Sequence, residues 1–203
     1  MKRSRKRKSP YASDRKHQQR PWLSGLAARA ERIVEVGVFT GRTTGYLARH
    51  TTATIWGVDH WRGPAAYPGI GLIVNARSER RFRRRLKPWI ANGRVVVVKM
   101  PSVDAAAHLL ETEGPVMDLV FIDAAHDFAS VRDDIKAWRK CVRPGGILCG
   151  HDINWPGVLK AVEWAFPDYG RGGGYCWWTE IGPAQTPPPP RPPPSKSPSE
   201  RAP

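Results

Sequence analysis

The chain alternates short apolar runs with stretches of helical spacing five times. The apolar runs predict β-strands, and most of them are continuously apolar, as strands buried on both faces of a sheet are. The predicted strands cover residues 32–38, 54–59, 94–100, 117–123 and 146–152, and a closing strand is expected within residues 175–181. Apolar residues at helical spacing between them predict helices, as at Phe128, Val131, Ile135 and Trp138.

This order of elements predicts an α/β fold. We expect a Rossmann-like, doubly wound, mostly parallel sheet of roughly six to seven strands with helices on both faces. Ligands of such sheets bind outside the carboxyl ends of the strands. Polar and glycine residues collect at those ends in this chain, at residues 37–41, 59–61, 101–102, 123–126 and 151–152. The functional site is therefore predicted at this edge of the sheet.

The composition changes at both ends of the chain. Residues 1–20 hold nine Lys and Arg against one Asp, and residues 183–203 hold ten of the twenty prolines. Neither segment has an apolar run of the kind that packs into a core. We therefore predict a basic disordered tail over residues 1–20, one folded domain over residues 21–182, and a proline-rich disordered tail over residues 183–203.

The apolar segments are too short for a membrane protein. None approaches the ~20 apolar residues that span a bilayer, and the basic N-terminus lacks the apolar segment of a signal peptide. These features predict a cytoplasmic protein with no membrane partner. Cys141, Cys149 and Cys176 show neither CxxC nor zinc-finger spacing, so we expect buried free thiols.

The first predicted strand leads into a glycine turn and a helix, an arrangement that offers backbone N–H groups to a nucleotide-like ligand. Gly37 and Gly41 form G-x-x-x-G rather than the dinucleotide pattern G-x-G-x-x-G, and Arg42 stands where a phosphate loop has lysine. Glu35, just before Gly37, would repel a pyrophosphate but suits a cation. S-adenosylmethionine is such a ligand, because it carries a sulfonium and an ammonium group and no phosphate.

The residues Glu35-Val-Gly-Val-Phe-Thr-Gly-Arg-Thr43 resemble the first motif of class I S-adenosylmethionine-dependent methyltransferases. They have its E-x-G-x-x-x-G-x-[ST] form, which is found in small-molecule O-methyltransferases. Two later segments, Phe121-Ile-Asp-Ala-Ala-His126 and Val142-Arg-Pro-Gly-Gly with His151-Asp152, resemble the F-I-D-x-x-H and P-G-G-x-x-x-x-H-D patterns of one branch. That branch contains macrocin-type O-methyltransferases and cephalosporin-hydroxylase-like proteins. The resemblance runs from about residue 31 to residue 182.

The resemblance implies an enzyme that moves a methyl group from S-adenosylmethionine to a hydroxyl group, less often an amine, of a small-molecule or sugar acceptor. Asp59 closes the second strand about 20 residues after Gly37, which matches the family's carboxylate for the ribose hydroxyls. Ser102 falls where the family contacts the adenine. The implied cofactor-binding residues are Glu35, Gly37, Thr40, Gly41, Asp59, Ser102 and Asp123.

Asp123, His126 and His151 are the predicted catalytic residues. Asp123 would orient the acceptor, and either histidine would remove the proton from its hydroxyl group, with His151 favoured. The resemblance also leaves a divalent ion such as Mg²⁺ open, held by Asp123, Asp152 and the neighbouring His151. Because Mg²⁺ prefers oxygen ligands, the histidine weakens the magnesium interpretation and leaves a softer ion open.

The formal net charge of +15 admits a second interpretation. Residues 77–87 carry seven basic residues and one acid, with Phe82 and Leu86 as the expected inner face of a basic helix. A nucleic-acid-binding or RNA-methylating protein would use this fold with its basic N-terminal tail on the phosphate backbone. The Asn/Asp-Pro-Pro-Tyr/Phe motif of enzymes that methylate nucleic-acid amines does not follow the fourth strand, which favours a small-molecule acceptor. The chain has few insertions to close the site, so a homodimer or another partner is expected to complete it.

Overall fold

The computed structural model describes the backbone of residues 11–62 and 70–182, and the side chains of residues 18–62 and 77–182. The first ten residues of the predicted basic tail and the whole proline-rich tail lie outside the described residues.

Seven strands and six helices alternate along the described chain. In chain order they are α1 (Tyr11–Leu26), β1 (Arg32–Val36), α2 (Arg42–His50), β2 (Thr54–Val58), α3 (Ile70–Ala91), β3 (Val95–Val98), α4 (Ser102–Glu113), β4 (Met117–Ile122), α5 (Phe128–Trp138), β5 (Val142–Gly150), α6 (Pro156–Ala165), β6 (Gly170–Gly172) and β7 (Cys176–Glu180).

The strands form one sheet in the order β3-β2-β1-β4-β5-β7-β6. Strands β1 to β5 run parallel to one another, and β7 runs antiparallel to both β5 and β6. This topology confirms the predicted doubly wound, mostly parallel sheet. The strand order reverses between β1 and β4, so the carboxyl ends of these two strands flank the position where such folds bind ligands.

Helices cover both faces of the sheet. Residues of β1 alternate between the two sides: Ile33 packs with α1, α2 and α3, and Val34 packs with α4, α5 and α6. Both residues are fully buried, as expected for a strand that is covered on both faces. Phe82 and Leu86 are also fully buried, as expected for the inner face of the basic helix. In the part of the chain that the structure describes, every helix is too short or too polar to cross a membrane.

The N-terminal boundary differs from the expected one at residue 20. Helix α1 begins at Tyr11, so half of the segment expected to be a disordered tail is helical. The helix is anchored by residues beyond the expected boundary: Leu23 is fully buried, and the Trp22 ring covers Gly172 in β6. Trp22 and Leu23 lie after the basic segment of residues 1–20. The composition of that segment therefore did not indicate that a packed helix begins within it.

Strand β5 begins earlier than expected. The strand was predicted over residues 146–152, but β5 begins at Val142 and so contains the Arg143-Pro-Gly-Gly segment, and α5 already ends at Trp138. Met117 pairs with Val142, after which the register between β4 and β5 shifts. Gly145, with φ of 75°, takes the left-handed conformation that this irregularity requires.

Gly37 lies at a position where the fold requires a glycine. Its φ is 90°, and a Cβ there would overlap the Asp123 carbonyl group and lie 2.8 Å from the Ala124 Cα atom. Gly93 is the matched control, because its φ is 78° but its added Cβ would meet nothing within 4 Å.

We predict that Gly93→Ala lowers the free energy of unfolding by about 1 kcal/mol, the cost of a left-handed alanine. Gly37→Ala adds a backbone clash and should cost at least ~3 kcal/mol or prevent folding. Urea denaturation of both variants measures the difference. Equal costs would mean that the contact between the ends of β1 and β4 is not tight.

Candidate active site

A cavity of about 680 Å³ opens at the carboxyl ends of β1, β2, β3 and β4. Its volume lies within the range of ~300–1,000 Å³ that small-molecule sites occupy. Four of the predicted cofactor-binding residues line it, namely Gly37, Asp59, Ser102 and Asp123. The other lining residues are Val36, Phe39, Val58, His60, Met100, Pro101, Val103, Ala124, Ala125, Ser130, Asp133 and Asp134.

The Asp59 carboxylate holds the glycine turn against the end of β2. Its Oδ2 atom accepts a hydrogen bond from the Phe39 N–H at 2.9 Å, and its Oδ1 atom accepts one from the Trp61 N–H at 2.8 Å. The Trp61 Nε1–H in turn donates to the Phe39 carbonyl at 2.8 Å. Each carboxylate oxygen keeps a second lone pair for a ligand hydroxyl group.

Three predicted cofactor contacts, Glu35, Thr40 and Gly41, do not line this cavity. Gly41, with φ of 69°, precedes α2, and Phe82 and Leu86 of α3 occupy the space beside it. The Thr40 carbonyl accepts a hydrogen bond from the Arg85 guanidinium. This half of the turn therefore packs on α3, whereas the half from Gly37 to Phe39 faces the cavity.

Glu35 lies buried at the end of β1, with 2% of its surface exposed. Burial, with smaller contributions from the nearby charges of Asp123 and Asp59, raises its pKa to about 8. Its Oε2 atom has no hydrogen-bond partner among the described residues. A ligand ammonium group would favour the ionised form, so this carboxylate suits the cationic end of S-adenosylmethionine.

The far wall of the cavity is formed where α4 begins against α5. The Ser102 hydroxyl accepts a hydrogen bond from Trp138 Nε1–H at 2.9 Å. Asp134 is also buried there, and burial raises its pKa to about 6. Asp134 was not among the predicted site residues. Its position within the apolar stripe formed by Val131, Ile135 and Trp138 was the sequence signal that could have identified it as a buried acid.

Two acids, Asp123 and Asp152, and two histidines meet at the ends of β4 and β5. His126 Nε2 lies 2.7 Å from Asp152 Oδ2. His151 Nδ1 lies 3.2 Å from Asp152 Oδ1 and 3.7 Å from Asp123 Oδ1. The structure thus brings together all the predicted catalytic and metal-binding residues, with Asp152 placed between the two histidines.

The charges of this cluster depend on one another. Burial raises the pKa of Asp123. Burial alone would lower the pKa of His151, but the hydrogen bond to Asp152 and the charges of both acids outweigh it, and the pKa lies above its usual value. Burial opposes the ionisation of Asp152, yet its contacts with both histidines hold its pKa below the usual range. Asp152 is therefore the ionised partner of the two imidazoles.

The two histidines differ in access. The His151 side chain is 13% exposed, and its Nε2 atom is buried without a partner among the described residues. The His126 side chain is 40% exposed and stacks on the half-exposed Trp155 ring at a centroid distance of 4.9 Å. His126 therefore presents its imidazole at the mouth of the cluster.

The geometry also supplies a set of atoms suited to a metal ion. Ligand atoms of Asp123, His126 and Asp152 all lie within 4.8 Å of one another. This set contains His126 where the sequence analysis placed His151. A site of two carboxylates and one imidazole suits ions softer than Mg²⁺ as well as Mg²⁺ itself.

The buried Glu35 carboxyl group should make folding stability depend on pH. The folded state holds the Glu35 proton up to a pKa of about 8, whereas the unfolded chain releases it near 4.5. The unfolded state therefore binds fewer protons between these values, and the stability of the ligand-free protein falls as pH rises through this window.

We predict that Glu35→Gln stabilises the ligand-free protein by roughly a few kcal/mol at about pH 9 and by much less at about pH 5. Thermal or urea unfolding at the two pH values measures this. Glu111→Gln, on the exposed side of α4, is the control and should show no such change. A pH-independent effect of Glu35→Gln would contradict the buried, protonated carboxyl group.

Similarity to solved structures agrees with this geometry. TomG, an O-methyltransferase from Streptomyces achromogenes in complex with SAM, matches with a TM-score of 0.59 and 18% identity over 81% of this chain and 80% of that one. An O-methyltransferase from Bacillus cereus in complex with SAH matches with a TM-score of 0.54 and 18% identity over 86% and 82% of the two chains. CalS11, a TDP-rhamnose 3′-O-methyltransferase of calicheamicin biosynthesis, has a TM-score of 0.54 and 20% identity over 79% and 75%. At these identities the matches show a shared fold.

The sequence itself matches a family model described as a methyltransferase domain over residues 34–153, which is more than half of the chain. No curated protein matches the sequence. The matched segment begins in β1 and ends just past β5, so it contains the glycine turn, Asp59 and the whole cluster of acids and histidines. The chain therefore belongs to the methyltransferase-domain family, which confirms the class I methyltransferase resemblance of its sequence motifs.

Proposed function

We propose that the protein transfers the methyl group of S-adenosylmethionine to a hydroxyl group of a small-molecule or sugar acceptor. The observation that carries this proposal is the position of Asp123. Its side chain lines the cavity beside Gly37 and Asp59, and it also faces His151 in the cluster. A cofactor in the cavity would thus adjoin a group able to take the acceptor proton. The shared fold with TomG and CalS11 supports the proposal.

The cavity offers a partner for each part of the cofactor. Asp59 would accept hydrogen bonds from the ribose hydroxyls, and Ser102, Met100 and Asp134 would surround the adenine. Asp123 would balance the ammonium group, and the buried Glu35 would add negative charge behind the cavity wall. Bound S-adenosylmethionine would supply an electrophilic methyl group, and the chain would contribute alignment and exclusion of water.

His126 is the better candidate for the general base. Asp152 Oδ2 orients its ring by accepting from Nε2–H, which leaves Nδ1 free to take the acceptor proton, the arrangement of a base fixed by a carboxylate. His151 was the base favoured from the sequence, but its Nε2 atom is buried from solvent. We assign His151 the role of holding Asp152 and Asp123 in place.

The same cluster supports a divalent cation as a second interpretation, because Asp123, His126 and Asp152 converge. A bound ion would orient the acceptor hydroxyl and lower its pKa. Titration of Mg²⁺ or Mn²⁺ against the thermal unfolding of the wild type and of Asp152→Asn tests this. Stabilisation of the wild type alone supports a metal site, and no stabilisation leaves the base mechanism.

A homodimer that closes the open side of the cavity stays a prediction. Sedimentation of the full chain with and without S-adenosylmethionine tests it. A monomer under both conditions would mean that the acceptor alone covers the site.

We predict that full-length wild-type protein binds S-adenosylmethionine and that Asp59→Ala weakens this binding at least ~10-fold, because the ribose hydroxyls lose a charged acceptor. Calorimetric titration measures the affinity. Asp104→Ala, an exposed aspartate outside the cavity, is the control and should bind as the wild type does. A folded wild type without binding would overturn the proposed function.

We predict that His126→Ala lowers the turnover of any accepted hydroxyl compound by about 10²- to 10⁴-fold, the usual contribution of a general base. The affinity for S-adenosylmethionine should not change. Release of adenosylhomocysteine across a panel of hydroxyl compounds measures turnover, with His108→Ala on the exposed face of α4 as the control. Full activity of His126→Ala would remove this residue from the mechanism.

A further inference from the structure

A second cavity lies beside the first one and is lined largely by arginine. It has a volume of about 840 Å³ and lies between the glycine turn and helix α3. Phe39 forms part of both cavities. The remaining lining residues are Thr40, Arg42, Arg81, Arg84 and Arg85, and we call these four arginines the arginine cluster.

The arginine cluster has no acidic partner within the described part of the chain. Arg85 donates to the Thr40 carbonyl, and no ion pair involves Arg42, Arg81 or Arg84. Glu79, the acid of the same helix, pairs instead with Arg83 and Lys99, at 3.0 and 2.6 Å.

The helix itself would favour a different arrangement of charge. Arg81 and Arg85 are four residues apart on one face of α3, and like charges at this spacing destabilise a helix. Burial lowers the pKa of the Arg85 guanidinium, and the charges of Arg42 and Arg20 lower it further. The protein therefore holds positive charge in a concave surface at a cost that an anion would offset.

The cluster is electrostatically connected to the proposed reaction site. The charge of Arg20, in α1, lowers the pKa values of both Arg85 and the buried Glu35. The neighbouring Gln19 amide lies 3.5 Å from Asp123 Oδ2. A ligand group in the second cavity would thus lie beside a cofactor in the first.

We propose that the arginine cluster binds the phosphate or diphosphate group of a phosphorylated small-molecule acceptor. The assignment rests on the proposed methyl transfer and names the chemical class of its acceptor. Guanidinium groups bind phosphate oxygens in pairs of parallel hydrogen bonds, and several of them suit a doubly charged group. S-adenosylmethionine carries no phosphate, so the anion belongs to the acceptor.

The arrangement of the arginines favours a compact anion over a nucleic acid. A phosphate backbone is expected to follow a stripe of basic residues along a surface. Arg81, Arg84 and Arg85 instead share one cavity with Arg42 from a different helix. Such convergence from two helices fits a single phosphate or diphosphate group.

Titration of inorganic pyrophosphate into the full-length protein tests the inference. The variant pair Arg81→Gln with Arg84→Gln removes two exposed charges from the cavity. The control pair Arg77→Gln with Arg80→Gln removes the same charge one turn earlier on α3, outside the cavity. We expect the cavity pair to weaken pyrophosphate binding at least ~10-fold and the control pair to change it less than about twofold.

An equal loss of pyrophosphate affinity in the cavity pair and the control pair would overturn the inference. A wild type that does not bind pyrophosphate would overturn it as well. The inference would also be overturned if single-stranded RNA bound the wild type and both variant pairs weakened that binding equally. That result would indicate a nucleic-acid surface.

Titration of S-adenosylmethionine into the same proteins separates this inference from the proposed function. Unchanged cofactor binding in the cavity pair, together with lost pyrophosphate binding, supports an acceptor site. A wild type that binds S-adenosylmethionine but not pyrophosphate overturns the phosphate assignment alone. A wild type that binds pyrophosphate but not S-adenosylmethionine overturns the proposed function, and the acceptor assignment falls with it.

Discussion

The close approach of the carboxyl ends of β1 and β4 is the contact on which the rest of the site depends. Gly37 has no Cβ, so the Asp123 backbone packs directly against it, and the Val36 carbonyl accepts from the Asp123 N–H at 2.8 Å. This contact places the glycine turn, which belongs to the cofactor cavity, beside the acid that begins the cluster on β4 and β5. A larger residue at position 37 would separate the two halves of the site.

Buried carboxyl groups give this edge of the sheet its chemical character. Burial raises the pKa values of both Glu35 and Asp123, whereas the contacts with two imidazoles keep Asp152 ionised. A cationic ligand would favour the ionised forms of Glu35 and Asp123. The imidazoles beside Asp152 provide a candidate proton acceptor. Phe39 lines both cavities, so the cavity with the buried acids adjoins the arginine cluster.

Much of the fold was predictable because buried parallel strands are read directly from continuous apolar runs. The strands at 54–58 and 117–122 fall within the predicted segments, and the helices lie on both faces as expected. The start of α1 and the start of β5 were not predictable. Both depend on distant partners, since Trp22 packs on β6 and Val142 pairs with Met117.

The sequence by itself determined the kind of site, because the glycine turn, Asp59 and the two later segments are local patterns at strand ends. Only the tertiary structure decided which residues meet. It turned Thr40 and Gly41 toward α3, buried Asp134 against Ser102, and left His126 rather than His151 at the mouth of the cluster. Exposure and side-chain contacts depend on elements far apart in the chain, and no local pattern records them.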